Sequence, residues 1–329
     1  MKTVFIMSKR LQKTIFTPQN IDEISQFGES IYFNGEDNPT PSDAGKLIAG
    51  ADAAITSWGA PRLCEEILAE APDLKLVLHA AGSVKGIVSP DLWKRGVRVA
   101  NSADPLGKGV AETALALTIT SLKNIWRLSA GCRRGEWNEG YGKIREVYGI
   151  CIGVIGAGHA GRHYIRLMRQ FDVDVLLYDP TLSEEQAVQL GAKKVDLDIL
   201  LKNADVVSIH APSVPATDKM LNSQTLKLMK DGAILINTAR GSIVDEPALV
   251  EELNRNRIFA CIDVTDPEPC ALSHPFRTLP NVILTPHIAG AVNNGLYRIG
   301  AHICNELRLF SENGTLTGEI KEKDLTLIG

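Results

Sequence analysis

A run of largely branched apolar residues, Ile150–Ile155, ends on Gly156-Ala157-Gly158-His159-Ala160-Gly161, and a helix-compatible segment, Arg162–Arg169, follows at once. Strand, glycine turn and helix in that order leave few folds open. Each glycine answers a separate steric demand. The first makes the tight turn, the second lets the backbone approach a ligand, and the third lets helix pack on strand. The helix start then offers unpaired N–H groups and the positive end of its dipole. A pyrophosphate suits that turn, with the amides of His159 and Ala160 as donors. His159 contributes there through its backbone rather than its ring.

On both sides of the turn, short β-type runs alternate with helical stretches, which predicts parallel sheets wrapped by helices. From Ile150 onward the strands fall at Ile150–Ile155, Val173–Tyr178, Asp205–Ile209, Ala233–Asn237, Phe259–Ile262 and Val282–Leu284. That pattern predicts a six-strand doubly wound domain. Before it, strands are expected at Val4–Met7, Ala53–Thr56, Leu74–Leu78 and Val97–Ala100. Asn101–Gly109 reads as a breaker-rich loop, the first crossing between domains, and Val110–Leu128 as one long helix, apolar on most of its circumference. The connector Gly131–Tyr148 carries Trp137 and Tyr141, which argue for burial on the parent chain or against a partner chain. A last helix is expected near Asn293–Phe310.

Composition narrows the function classes. At 329 residues two domains are expected, and 44% hydrophobic residues suffice for two cores. A net charge of −4 gives no electrostatic reason to expect nucleic acid or an anionic membrane as partner. No targeting segment or membrane span is legible, and the six cysteines are scattered without metal-ligand spacing. The expectation is a cytoplasmic protein with reduced thiols and no metal.

Asp179 closes the strand after the turn, where an acid hydrogen-bonds the adenosine ribose hydroxyls and repels a 2′-phosphate; this favours NAD over NADP. Three further segments follow candidate strands: Asn237-Thr238-Ala239-Arg240-Gly241, Asp263–Pro269 with Glu268, and Thr285–Gly290 with His287. Their strand ends bring an Arg, a Glu and a His to one crevice. Beside a nicotinamide, that trio suits hydride transfer to a 2-oxoacid. The guanidinium holds a carboxylate and polarises the carbonyl, and the imidazole donates a proton to the carbonyl oxygen. A carboxylate next to an imidazole favours its charged form.

These motifs, with Ala204–Pro212 and Asn237–Glu246, resemble those of the D-isomer-specific 2-hydroxyacid dehydrogenase family over nearly the whole chain. The resemblance implies an α/β protein of two domains. A Rossmann-type doubly wound parallel sheet covers 104–286; a smaller flavodoxin-like substrate-binding domain covers 1–103 and is completed by 287–329. It implies that Arg240, Glu268 and His287 are catalytic. The cofactor is implied to lie against Gly156, Gly158, His159, Ala160, Gly161, Asp179, His210, Ala211, Pro212, Thr238, Ala239, Arg240, Asp263, His287 and Gly290. Substrate is implied at Ala81, Gly82, Ser83 and Arg240, with a homodimer built on the long helix and connector. The implied activity is NAD-dependent interconversion of a small 2-oxoacid and its D-2-hydroxyacid, of the hydroxypyruvate, glyoxylate or phosphoglycerate type. The alternative is a nucleotide-sensing regulatory protein on the same scaffold. One departure stands out: where the family has Gly-x-Gly-x-Asp, this chain has Ala81-Gly82-Ser83-Val84-Lys85. A surface salt-bridge swap and contact of Lys85 or His79 with a second acidic group on the substrate are the two readings of it.

Overall fold

The turn at Gly156 sits where a parallel sheet changes direction. The computed structural model describes residues 1–138 and 140–328, and these divide into two compact units, Met1–Leu106 with Ala291–Gly329, and Gly107–Gly290.

In the first unit, β1 (Thr3–Ile6), β2 (Ser30–Tyr32), β3 (Ala53–Thr56), β4 (Leu76–His79) and β5 (Arg98–Asn101) run parallel. The order β2-β1-β3-β4-β5 is the flavodoxin-like one. The short strand Glu319–Ile320 adds to β5 antiparallel. β1, β3 and β4 are buried throughout, so alternate residues feed two cores, one on each face.

The second unit contains β6 (Cys151–Ile155), β7 (Asp174–Tyr178), β8 (Lys193–Lys194), β9 (Val206–Ile209), β10 (Ile234–Asn237), β11 (Phe259–Ile262) and β12 (Val282–Leu284). Their order, β12-β11-β10-β9-β6-β7-β8, is doubly wound and wholly parallel. It has seven strands rather than the expected six, because the two-residue β8 is too short to show a period.

Two expectations are corrected between the sheets. Residues Ala103–Gly109 are helical, the start of a helix Ala103–Leu122. Pro105 lies in its first turn, where the missing N–H costs nothing. Gly107 and Gly109 serve close packing: a Cβ on Gly107 would lie 2.9 Å from the Ala160 nitrogen, and one on Gly109 would lie 2.9 Å from the Gly290 oxygen. The long helix is also broken. Asn124 turns left-handed, with φ 53°, and a second helix runs from Ile125 to Arg133. Neither Trp137 nor Tyr141 is buried on the parent chain; they are 79% and 66% exposed. No helix among the described residues is long and apolar enough to cross a membrane.

In the first unit, the helix Leu296–Asn313 brings in Glu306, a fully buried carboxylate. It accepts the N–H groups of Thr317 and Gly318 at 3.0 and 3.2 Å and the Thr317 hydroxyl. The tail so held accepts the Asn101 N–H on the Gly318 carbonyl at 3.0 Å. Replacing Glu306 by Ala strands those donors, and the expected loss is about 2–4 kcal/mol in urea unfolding. Amide exchange at Thr317 and Gly318 should accelerate in the same variant; unchanged exchange there would refute this anchoring.

Candidate active site

β6 delivers the chain to Gly156 between β7 and β9, the point at which strand order reverses. Gly156 has φ 88°, and a Cβ on it would come within 2.7 Å of the Ala211 backbone. Both conformation and space therefore require glycine. A Cβ on Gly161 would collide with the Gly156 carbonyl oxygen. Gly158 differs: a Cβ there meets nothing within 4 Å, so the turn is open on that side. The helix His159–Met168 starts at Gly158 with no side-chain cap. Its first-turn amides are the natural donors to a phosphate.

Asp179 follows β7 and is buried. One oxygen accepts the Ala157 N–H at 2.8 Å, and the other accepts the N–H and hydroxyl of Thr181 at 2.9 and 2.6 Å. The acid thus holds the turn. His210 follows β9, its ring 5.0 Å from that of Tyr164 and its Nε2 2.9 Å from the Ser208 hydroxyl. Its Nδ1 and the Thr238 hydroxyl are buried polar atoms with no partner among the described residues. Such orphans are rare in a closed interior. Beside an uncapped helix and an open glycine they fit a bound dinucleotide.

The Arg, Glu and His segments follow β10, β11 and β12. Asn237 organises the first: its amide donates to the Arg240 carbonyl at 2.9 Å, and its oxygen accepts the Ala239 N–H at 3.1 Å. Arg240 is exposed and donates only to the Ala239 carbonyl, with no carboxylate partner among the described residues. Glu268 and His287 meet, Oε1 to Nδ1, at 2.7 Å, each less than half exposed on the side chain. His287 has φ 52°, a conformation that side chains other than glycine adopt only under constraint. The constraint is Asp263. Its backbone carbonyl accepts the His287 N–H at 2.9 Å, and its carboxylate accepts the Thr285 hydroxyl at 2.6 Å and the amides of Ile288 and Ala289 at 2.9 Å. The carboxylate of Asp263 is occupied by these donors, so within the chain it holds the loop that carries His287. Asn237 is not among the expected site residues, and nothing in the sequence marks the two hydrogen bonds by which it holds this segment.

In the first unit, Ala81, Gly82 and Ser83 follow β4. The Ala81 carbonyl accepts the Ser102 N–H at 3.0 Å, and the Gly82 carbonyl accepts the Asn101 amide at 2.7 Å. His79 is 2% exposed; its Nδ1 pairs with the Thr56 hydroxyl at 2.9 Å, and the ring also hydrogen-bonds the Ser83 backbone. Peptide planes put each carbonyl opposite the next N–H. With these carbonyls turned inward, the amides of Gly82 and Ser83 point away from them, while Val84 is fully buried. The reading of His79 as a contact for a second acidic group is corrected, since its ring is buried and committed within its own unit.

The family described as D-isomer specific 2-hydroxyacid dehydrogenase, NAD binding domain, matches residues 115–289. A D-3-phosphoglycerate dehydrogenase of Methanocaldococcus jannaschii is 31% identical over 84% of this chain and 52% of its own length. The chain belongs to the D-isomer specific 2-hydroxyacid dehydrogenase family. It spans about half the length of the phosphoglycerate dehydrogenases it matches. A hydroxypyruvate reductase of Thermotoga maritima is 29% identical over 82% of this chain and 87% of its own. Among solved structures, an acyclic imino acid reductase in complex with NADPH and D-Arg aligns at TM-score 0.80 and 25% identity, over 98% of this chain and all of its own. The matched segment of this family member is its NAD binding domain, and it contains the turn Gly156–Gly161.

Burial holds two histidines neutral: it pushes His79 down to about 4, against a smaller opposing effect of the Ser83 backbone, and His210 down to about 3. Unfolded, both take up protons near 6.5, so below that pH the unfolded chain binds more protons and stability falls. The loss should begin near pH 6.5 and continue toward pH 4 at up to about 1.4 kcal/mol per pH unit for each histidine. Urea unfolding at a series of pH values, with His79→Asn and His210→Asn for comparison, checks it. Equal slopes in wild type and both variants would count against buried neutral rings.

Proposed function

We propose that this protein is an NAD-dependent oxidoreductase interconverting a small 2-oxoacid and its D-2-hydroxyacid, of the hydroxypyruvate, glyoxylate or phosphoglycerate type. The 2.7 Å contact between His287 and Glu268 carries the reading. An ionised carboxylate only accepts, so Nδ1 bears a proton and Nε2 is left for substrate. In reduction Nε2 gives its proton to the oxo oxygen, and in oxidation it takes the hydroxyl proton back. Bound NADH supplies the hydride to the carbonyl carbon. Arg240, with no competing carboxylate among the described residues, holds the substrate carboxylate in two hydrogen bonds and draws charge toward the developing alkoxide. In the first unit by itself, the outward amides of Gly82 and Ser83 suit an anion. Asp179 favours NAD over NADP by repelling a 2′-phosphate.

We place the protein in the cytoplasm as a homodimer. Six free thiols suit a reducing compartment. Ile125, Trp126, Trp137, Tyr141 and Tyr148 leave large apolar surface exposed within one stretch of the second unit, as expected of a face that a second copy covers.

NADH oxidation with a panel of 2-oxoacids tests the reaction. His287→Ala should lower kcat by about 10²–10⁴-fold, and NADPH should serve poorly. Tight NADH binding with no turnover of any acid by the wild type would point to a sensor instead. Turnover that needs an added amine would point to imine reduction. Sedimentation tests the assembly: wild type should run as a dimer, and Trp137→Glu with Tyr141→Glu as a monomer. A monomeric wild type would overturn the dimer.

A further inference from the structure

A second carboxylate–histidine contact lies in the same unit, and the reaction outlined above does not use it. Glu246 opens the helix Glu246–Asn254, and its Oε2 lies 3.0 Å from His274 Nε2 with only a tenth of its side chain exposed. Nδ1 of His274 accepts the Phe276 N–H at 3.3 Å, so a proton sits on Nε2 and points at Glu246. The other oxygen of Glu246 accepts the backbone N–H of Asp266 at 2.9 Å. Burial pushes the Glu246 carboxyl up, while the Asp266 N–H and His274 oppose that shift and the Asp266 charge adds to it.

Asp266 is separated from Glu268 by Pro267 alone, whose ring fixes φ. The Pro267 carbonyl in turn accepts the Thr265 hydroxyl at 2.9 Å. On the far side, Gly241, next to Arg240, presses so closely on the Thr265 backbone that a Cβ there would collide with it. A segment so short and so clamped has little slack. Moving the Asp266 amide moves Glu268.

We infer that Glu246, oriented by His274, is a positioning residue that holds the Glu268 carboxylate in place against His287; its effect on turnover rests on the reaction proposed above. Among the described residues Glu246 pairs with His274 and the Asp266 N–H, and not with His287.

The test is a double-mutant cycle in the full chain: Glu246→Ala, Glu268→Ala and both together, with kcat, NADH affinity by fluorescence titration and thermal melting. Glu246→Ala should lower kcat about tenfold, as expected for one lost hydrogen bond, and leave NADH affinity within about twofold. In the Glu268→Ala background the same change should alter kcat by less than about twofold, because its target is gone. Glu246→Gln, which keeps an acceptor oxygen for the Asp266 N–H but turns its NH2 on the His274 Nε2–H, should recover part of the rate. An equal loss of kcat in both backgrounds would overturn the proposal, since Glu246 would then act on the fold at large. His274→Ala should give the same pattern at smaller size and serves where Glu246→Ala does not fold. A readout independent of turnover is the downfield proton resonance of His287 Nδ1–H. It should vanish in Glu268→Ala, shift or vanish in Glu246→Ala, and return in Glu246→Gln. A resonance unmoved in Glu246→Ala overturns the positioning role whether or not any acid is reduced. The expected pattern in a protein that reduces none supports the role and removes the reaction.

Discussion

The carboxylate of Asp263 is the anchor on which the arrangement of the second unit's site depends. At 2% exposure an ionised carboxylate is costly unless its lone pairs are filled. Three donors fill them, and all come from the segment Thr285–Ala289. The exchange works both ways: the acid is stabilised by the loop, and the loop is held in a shape that puts His287 in the left-handed region. Asn237 does the same for the Arg240 segment with a neutral amide, and Asp179 for the glycine turn. At the carboxyl edge of this parallel sheet, inward-facing side chains bind backbone, and the chemically active side chains are left to face outward.

That division explains what sequence reading could and could not reach. The glycine turn was legible because each glycine answers a local steric demand, and the flanking periods of two and 3.6 are local as well. Arg240, Glu268 and His287 were legible as residues beyond strand ends, and the pairing of Glu268 with His287 was implied by the family resemblance. Glu246 and His274 were not, since the contact joins a helix start to a distant loop and neither residue breaks a pattern. Residues 103–109 were misread for a different reason. Glycine and proline are the usual marks of a loop, but here proline occupies a helix's first turn and the glycines make room for Ala160 and Gly290. β2 and β8, of three and two residues, are too short to carry a period.

The departure at Ala81–Lys85 looks different once backbone partners are counted. Against the family's Gly-x-Gly-x-Asp, Ser83 stands for a glycine and Lys85 for the acid. In this chain the shape is set by carbonyls held by Ser102, Asn101 and His79. None of those bonds depends on the side chain at position 83. Those bonds survive the substitution, and Ser83 adds one of its own, its hydroxyl oxygen accepting the Lys85 N–H at 3.4 Å.

Asp179 shows why cofactor choice and fold are hard to separate. An acid at this position is read as a selector, repelling a 2′-phosphate and accepting ribose hydroxyls. Here it already accepts from Ala157 and twice from Thr181. A carboxylate has about four lone-pair sites, so three are used by the protein itself. Exchanging it for a neutral small residue removes the repulsion and also releases the Ala157 amide, one residue after the positive-φ Gly156. Exchange for a residue with no acceptor therefore loosens the glycine turn at the same time as it removes the charge, so both effects rest on one side chain.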